Sequence, residues 1–311
     1  MIGGPTNPIP DRQIHSGYQF LILIGLLLAT LIFGQMIAGA IITARYGIDT
    51  LIDLSKLKVS MPQVRDSLWI LQFVGTTMPI LVTPIIFSYI IVRDPDGYIK
   101  NNFHFPWVFI LLVFIVMMLA FPLIEFIETI NQKFPLPQWM REFDEENKKA
   151  SDSMLQMNTF LSMIFDLLFI GLLTAIIEEI LFRGCMQTIF MRWMKNKHAA
   201  VWTTAILFSA FHMEFSGFLS RLFLGVLFGY FTVWSGSIWP AIWGHFVNNG
   251  TIVVITYLSQ HKLIGITPDD QQVFNSAWYI ISAIITLFLL FIYRNISLKR
   301  QIADIHGEEL G

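Results

Sequence analysis

YQFLILIGLLLATLIFGQMIAGAIITA, residues 18–44, contains no charged side chain. About 20 apolar residues suffice to cross a hydrocarbon core of roughly 30 Å, so this stretch alone puts the chain in a bilayer. Reading outward, Leu68–Val92 and Pro106–Ile124 are also charge-free. Thr159–Ile177 is interrupted only by Asp166 and runs on into an acidic pair, and Ala199–Met213 is a shorter run. Leu222–Gln260 carries no charge over far more than one crossing, and Ser235-Gly236-Ser237 offers a turn at its middle; Gln271–Tyr293 completes the set. The spacing predicts eight transmembrane helices, over about 18–43, 68–92, 106–125, 160–183, 199–214, 219–234, 238–257 and 274–293. Backbone polar groups must be satisfied internally in lipid, and the alternation of a barrel strand is absent, so the predicted fold is an all-α, polytopic helical bundle.

Composition agrees. The chain has 311 residues, 55% hydrophobic and 14% charged, with a mean hydropathy of +0.62. Ordinary soluble domains carry about 25% charged residues. A net charge of −2 offers no surface for a polyanion, so nucleic acid is not an expected partner. The single cysteine, Cys185, excludes an internal disulfide framework and a Cys-rich zinc module. Neither a cleavable signal peptide nor a lipidation signature is read at the termini, because the first apolar run is too long for an h-region.

Two connections are long. Arg45–Ser67 is mixed and polar. Phe126–Asn158 includes PLPQWMREFDEENKKASDSM and reads as a solvated charged loop, the alternative being an interfacial helix with Trp139, Met140 and Phe143 toward lipid. Twenty Lys and Arg divide evenly between the two sides, and the compact Arg192, Lys195, Lys197 cluster tips the expected orientation to both termini inside. No internal repeat or second soluble domain is visible.

Polar groups within the spans carry the chemistry, since a charge at the bilayer centre costs about 2.5–3.5 kcal/mol on insertion scales. Glu178 and Glu179 sit in LLTAIIEEILFR, residues 172–183. Neighbouring helix residues point about 100° apart, so the pair is not expected to serve one function from one face. Glu179 and Arg183 are i and i+4, the favourable order for an ion pair, which leaves Glu178 to meet other helices. His212 closes FSAFH in the fifth span with Phe208 one turn before it; a lone histidine there is more often a packing residue than a ligand. His245 and Asn249 share one helix face, suited to binding an oxyanion or a water, or to interhelical hydrogen bonding. Asn248 points elsewhere, Glu214 is given no role, and Gly225 with Gly229 forms a G-x-x-x-G that permits close helix approach. Three spans thus offer Glu178, His212, and His245 with Asn249. One glutamate and two histidines make a catalytic zinc set with a position open for water. The same set without metal is a glutamate base with donors for a tetrahedral oxyanion.

Glu178-Glu179-x-x-x-Arg183, Phe208-x-x-x-His212 and His245-x-x-x-Asn249, in this order on successive apolar spans, resemble the CAAX-protease and bacteriocin-processing family of intramembrane proteases, which includes the type II CAAX prenyl endopeptidases. The resemblance covers about residues 160–255, and the motif positions show no departure. It implies that Glu178 and His212 activate the attacking water, that His245 and Asn249 bind the oxyanion, and that Glu179 and Arg183 support the site. It leaves open whether zinc, with Glu178, His212 and His245 as candidate ligands, takes part. It divides the chain into residues 1–158, N-terminal transmembrane helices and polar loop; 159–260, catalytic core; and 261–311, last transmembrane helix and polar tail. The expected function is a hydrolase cutting a peptide bond near the end of a membrane-attached, lipidated or hydrophobic peptide, in a multi-pass protein of the cell (inner) membrane. Its expected partners are the bilayer and a membrane-associated protein or peptide substrate. The alternatives are an ion- or proton-coupled transporter, which intramembrane acids and histidines also build, and a non-catalytic membrane scaffold.

Overall fold

The computed structural model describes residues 14–91, 95–267, 270 and 273–309, with side chains to residue 300. Among these residues there are helices and no strands. In chain order the helices are α1 (Ser16–Tyr46), α2 (Asp49–Ser55), α3 (Pro62–Ile91), α4 (Pro95–Ile99), α5 (Val108–Asn131), α6 (Gln138–Met154), α7 (Phe160–Met194), α8 (Lys197–Phe211), α9 (Phe218–Ser235), α10 (Trp239–Gln260) and α11 (Ser276–Glu309). The protein is an all-α, polytopic membrane bundle.

Among the described residues, six helices are long and apolar enough to cross a membrane: α1, α3, α5, α7, α9 and α11. The other two expected spans are helices in the expected places but fall outside that class for different reasons. Helix α8 has 15 residues, about 22 Å at 1.5 Å per residue, too short for a full crossing. Helix α10 has 22 residues, but His245, Asn248, Asn249 and its hydroxyl and glycine positions dilute its apolar character. Helix α10 lies inside the bundle, against α5, α7 and α9; α8 packs one face against α7 and α9 and exposes Trp202 and Ile206 on the other. The outer faces of α1 and α11 present Leu21, Ile32, Phe33, Leu287 and Phe291, as a lipid-facing surface does.

Several boundaries move outward because the polar flanks stay helical. Helix α7 runs on to Met194, so Gly184–Met194 continues the same rod beyond the expected end at residue 183. Gly236 makes the turn between α9 and α10 in a left-handed conformation (φ +73°), its N–H donating to the Thr232 carbonyl at 3.0 Å. Pro79 and Pro84 sit in α3 without ending it; its ladder widens to π-turns just before them, over Leu71–Thr77. The segment read as a solvated loop is in fact the 17-residue helix α6. Its sequence is strongly amphipathic, and its apolar edge is used: Trp139 and Phe143 lie against Phe215, at ring-centroid distances of 5.4 and 6.3 Å. Its far end contributes Ala150 and Met154 to a cluster with Val64 and Leu68 of α3.

Two apolar cores flank the polar interior. One groups Ile177, Leu181, Phe182 and Cys185 of α7 with Phe208 of α8 and residues of α1 and α3. The other groups Phe109 and Val113 of α5 with Phe228 and Phe231 of α9 and Tyr293 of α11. The face of α7 between them carries the acidic pair.

Candidate active site

Glu179, Arg183 and Gln187 repeat every fourth residue along α7, so they form one stripe. All three are fully buried, Arg183 and Gln187 against α9 and Glu179 toward α10. Arg183 Nη1 donates to Glu179 Oε1 at 2.7 Å, as the i, i+4 spacing predicts, and its Nη2 reaches the Gly225 carbonyl at 2.9 Å. Gln187 Nε2 donates to the Gly229 carbonyl at 3.2 Å. This is what the G-x-x-x-G does. A Cβ at Gly225 would come within 3.1 Å of Ala205, and one at Gly229 within 2.8 Å of Gln187 and Val201. Bare backbone at these two positions seats α9 closely on α8, and at Gly229 on Gln187 of α7, in the place where its carbonyls receive the α7 stripe. The Arg183 guanidinium also faces the Phe208 ring at 4.5 Å and the Phe228 ring at 5.4 Å, so aromatic faces share in solvating its charge.

The acidic pair does not divide its work as helix spacing alone suggests. His245, from the second turn of α10, lies beside both carboxylates: its Nδ1 is 2.9 Å from Glu179 Oε1 and its Nε2 is 3.9 Å from Glu178 Oε2. An imidazole has two nitrogens on opposite edges, so one ring spans two carboxylates that a helix points apart. Glu179 Oε1 therefore accepts from Arg183 and from His245 Nδ1 together. The His245 ring is stacked on Phe228, at 5.0 Å between centroids and 16° between planes.

His212 follows the last residue of α8 and turns Nε2 to within 3.6 Å of Glu178 Oε2. Its Nδ1 is 2.8 Å from the Phe208 carbonyl, which can only accept, so Nδ1 carries the proton and a neutral ring would leave the Nε2 lone pair facing Glu178. Phe208 packs beside the ring at 4.7 Å, as the one-turn spacing implies. Glu178 Oε2, with both Nε2 atoms beyond hydrogen-bonding distance, is a buried oxygen with no hydrogen-bond partner among the described residues, although the His212 side chain remains partly open.

Asn249 is held differently from His245. Its Nδ2 donates to the Ile170 carbonyl at 3.4 Å, in a stretch where α7 widens to π-turns (Leu167–Leu173). Asn248, expected to point elsewhere, donates to Asn249 Oδ1 at 3.2 Å. One N–H of the Asn249 amide remains to donate. Glu214, two residues beyond His212 in the chain and given no role from the sequence, is ion-paired with Arg221.

Among the described residues, no group of three or more His, Cys, Asp and Glu side chains is placed to hold a metal ion. Glu178, His212 and His245 are donor types that zinc accepts, but they do not form such a group.

The structure thus brings together Glu178, Glu179, Arg183, His212 and His245, with Asn249 one turn along the same face of α10. Sequence reading missed Gln187, although its fourth-residue register with Arg183 was a usable signal. It also missed Asn131 and Asp144, whose contacts with the His212 loop span 71 to 88 residues of sequence and leave no local pattern.

Residues 160–251 match the family described as Type II CAAX prenyl endopeptidase Rce1-like. The expected family resemblance is therefore borne out, over α7 to the middle of α10. Among curated proteins, the chain is similar to Uncharacterized protein YpbD of Bacillus subtilis (strain 168), 29% identical over 85 residues. That stretch is 26% of this chain and spans 40% of the length of the relative. No solved structure matches the chain.

Proposed function

We propose that the protein is an intramembrane endopeptidase that hydrolyses a peptide bond near the end of a membrane-attached, lipidated or hydrophobic peptide. The observation that carries the reading is the convergence on Glu178 Oε2 of His212 Nε2 at 3.6 Å and His245 Nε2 at 3.9 Å, in the segment that matches an endopeptidase family.

In this mechanism Glu178, with His212 beside it, takes a proton from a water whose oxygen attacks the peptide carbonyl carbon. The carbonyl π electrons move to oxygen. His245, held at Nδ1 by the Glu179 carboxylate, can carry a second proton on Nε2; with the remaining Asn249 N–H it provides two donors for that oxyanion. Collapse restores the carbonyl, breaks the C–N bond, and sends the proton on Glu178 to the leaving amine. Glu179 and Arg183 hold the ring that does the donating. The substrate reaches this site from the His212 side, where the side chains are partly open.

The test is to incubate the purified full chain with a peptide library that includes prenylated C-terminal peptides, beside Glu178→Gln. The parent is expected to cleave and the folded variant to lose turnover while still binding. Cleavage by Glu178→Gln at near the parental rate would refute the mechanism and return the transporter or scaffold reading.

A further inference from the structure

The stretch between α8 and α9 begins at His212, and its backbone is gripped from outside the matched segment. Met213 follows His212 in a left-handed conformation (φ +51°), uncommon for a residue with a side chain. Two residues on, Phe215 N and Ser216 N donate to the two oxygens of one carboxylate, Asp144 Oδ1 at 2.9 Å and Oδ2 at 2.8 Å. The carbonyls of the same two residues accept both N–H groups of one amide, Asn131 Nδ2, at 2.9 and 2.7 Å. Asn131 Oδ1 then takes the Leu219 N–H at 2.8 Å. Every backbone polar group of Phe215 and Ser216 is thus bound by two side chains, the last residue of α5 and the middle of α6.

Hydrogen bonds to a carboxylate are about twice as strong as neutral ones, and Asn131 is buried. The frame behind the grip is also fixed, since α6 is seated at one end on Phe215 and at the other on Val64 and Leu68. The rest of the stretch is tied as well: Ser209 Oγ donates to the Phe218 carbonyl at 2.6 Å, closing α8 onto the start of α9. His212 lies three residues from the grip, with a ring that must stand within a few ångströms of Glu178 to act. Fixing Phe215 and Ser216 fixes the path by which the chain leaves α8, and with it the placement of that ring.

We infer that Asp144 and Asn131 are positioning residues for His212. Helix α6 is then the outer wall of the active site and not an independent surface helix. This rests on the hydrolase reading above for its catalytic consequence but not for its structural one.

The two parts are separated by measuring the full chain in detergent in two ways, peptide cleavage and amide hydrogen exchange over residues 212–219. Asp144→Ala is compared with Glu145→Ala, which removes the same charge from an exposed neighbouring position. A catalytic group displaced by about 1 Å can cost on the order of a hundredfold in rate. Asp144→Ala is therefore expected to lower kcat by about tenfold or more with KM within about twofold, and to speed exchange at Phe215 and Ser216. Glu145→Ala should leave both unchanged. Asp144→Asn, whose amide can accept only one of the two N–H groups, should fall between, and replaces the alanine variant if that one does not fold. A parental kcat in Asp144→Ala, or unaltered exchange across the loop, overturns the inference. A parent chain that cleaves nothing refutes the hydrolase reading, and exchange alone then decides whether Asp144 holds the loop.

Discussion

Glu179→Gln is the sharpest test of how the buried stripe holds the site. The substitution keeps the shape of the side chain and removes its charge. Glu179 Oε1 accepts from Arg183 Nη1 at 2.7 Å and His245 Nδ1 at 2.9 Å, with neither Glu179 nor Arg183 exposed at all. Removing one partner of such a buried pair typically costs about 3–5 kcal/mol, because the remaining charge is left uncompensated. The amide oxygen still accepts one donor, and Arg183 keeps the Gly225 carbonyl and the faces of Phe208 and Phe228. Cation–π contacts of this kind hold about 0.5–2 kcal/mol, so we expect a net loss of about 2–4 kcal/mol. Reversible unfolding in detergent would read it, as a midpoint shift with unchanged steepness. The double variant Glu179→Leu with Arg183→Met should lie closer to the parent than Glu179→Gln does, since removing both charges leaves neither one stranded. Activity per folded molecule should fall less for Glu179→Gln than for Glu178→Gln. If Glu179→Gln costs below about 1 kcal/mol, or the double variant is the worse of the two, the charge of the pair is not what holds α7 to α10.

Gly229→Ala would place a methyl 2.8 Å from both Gln187 and Val201; overpacking of this kind costs about 1–3 kcal/mol, and a variant as stable as the parent would show that α9 can move away freely. Outside the spans, burial and then the nearby Arg192 push the Lys100 ammonium down from 10.5 to about 8. The unfolded chain then binds the extra proton between pH 8 and 10.5, so stability should rise with pH across that window, and Lys100→Met should abolish the rise and stabilise the protein at pH 7. Elemental analysis of the purified protein should find well under one zinc per chain; about one, lost in His212→Ala, would make Glu178, His212 and His245 metal ligands.

The bundle was legible in the sequence because the bilayer imposes its rule locally. A charge-free run of sufficient length, such as residues 18–44, is a helix whatever surrounds it. The same rule also placed α8 and α10, but it says nothing of why they fall short of a full apolar crossing: α8 is only 15 residues long, and the polar positions of α10 are met by neighbouring helices. Helix α6 was misread for a related reason: its charges signal solvent, while the contacts that fold it, Phe215 and the Val64–Leu68 cluster, lie far away in the chain. Within the site, fourth-residue spacing anticipated the Glu179–Arg183 pair. It did not anticipate His245 between the two glutamates, because spacing along α7 says nothing of a ring arriving from α10. That ring alters what the acidic pair means. With Nδ1 on Glu179 and Nε2 toward Glu178, His245 links the residue that holds structure to the residue proposed to do chemistry. A change in the Glu179 charge is therefore expected to reach Glu178 through the orientation of that imidazole, even where the helices stay in place.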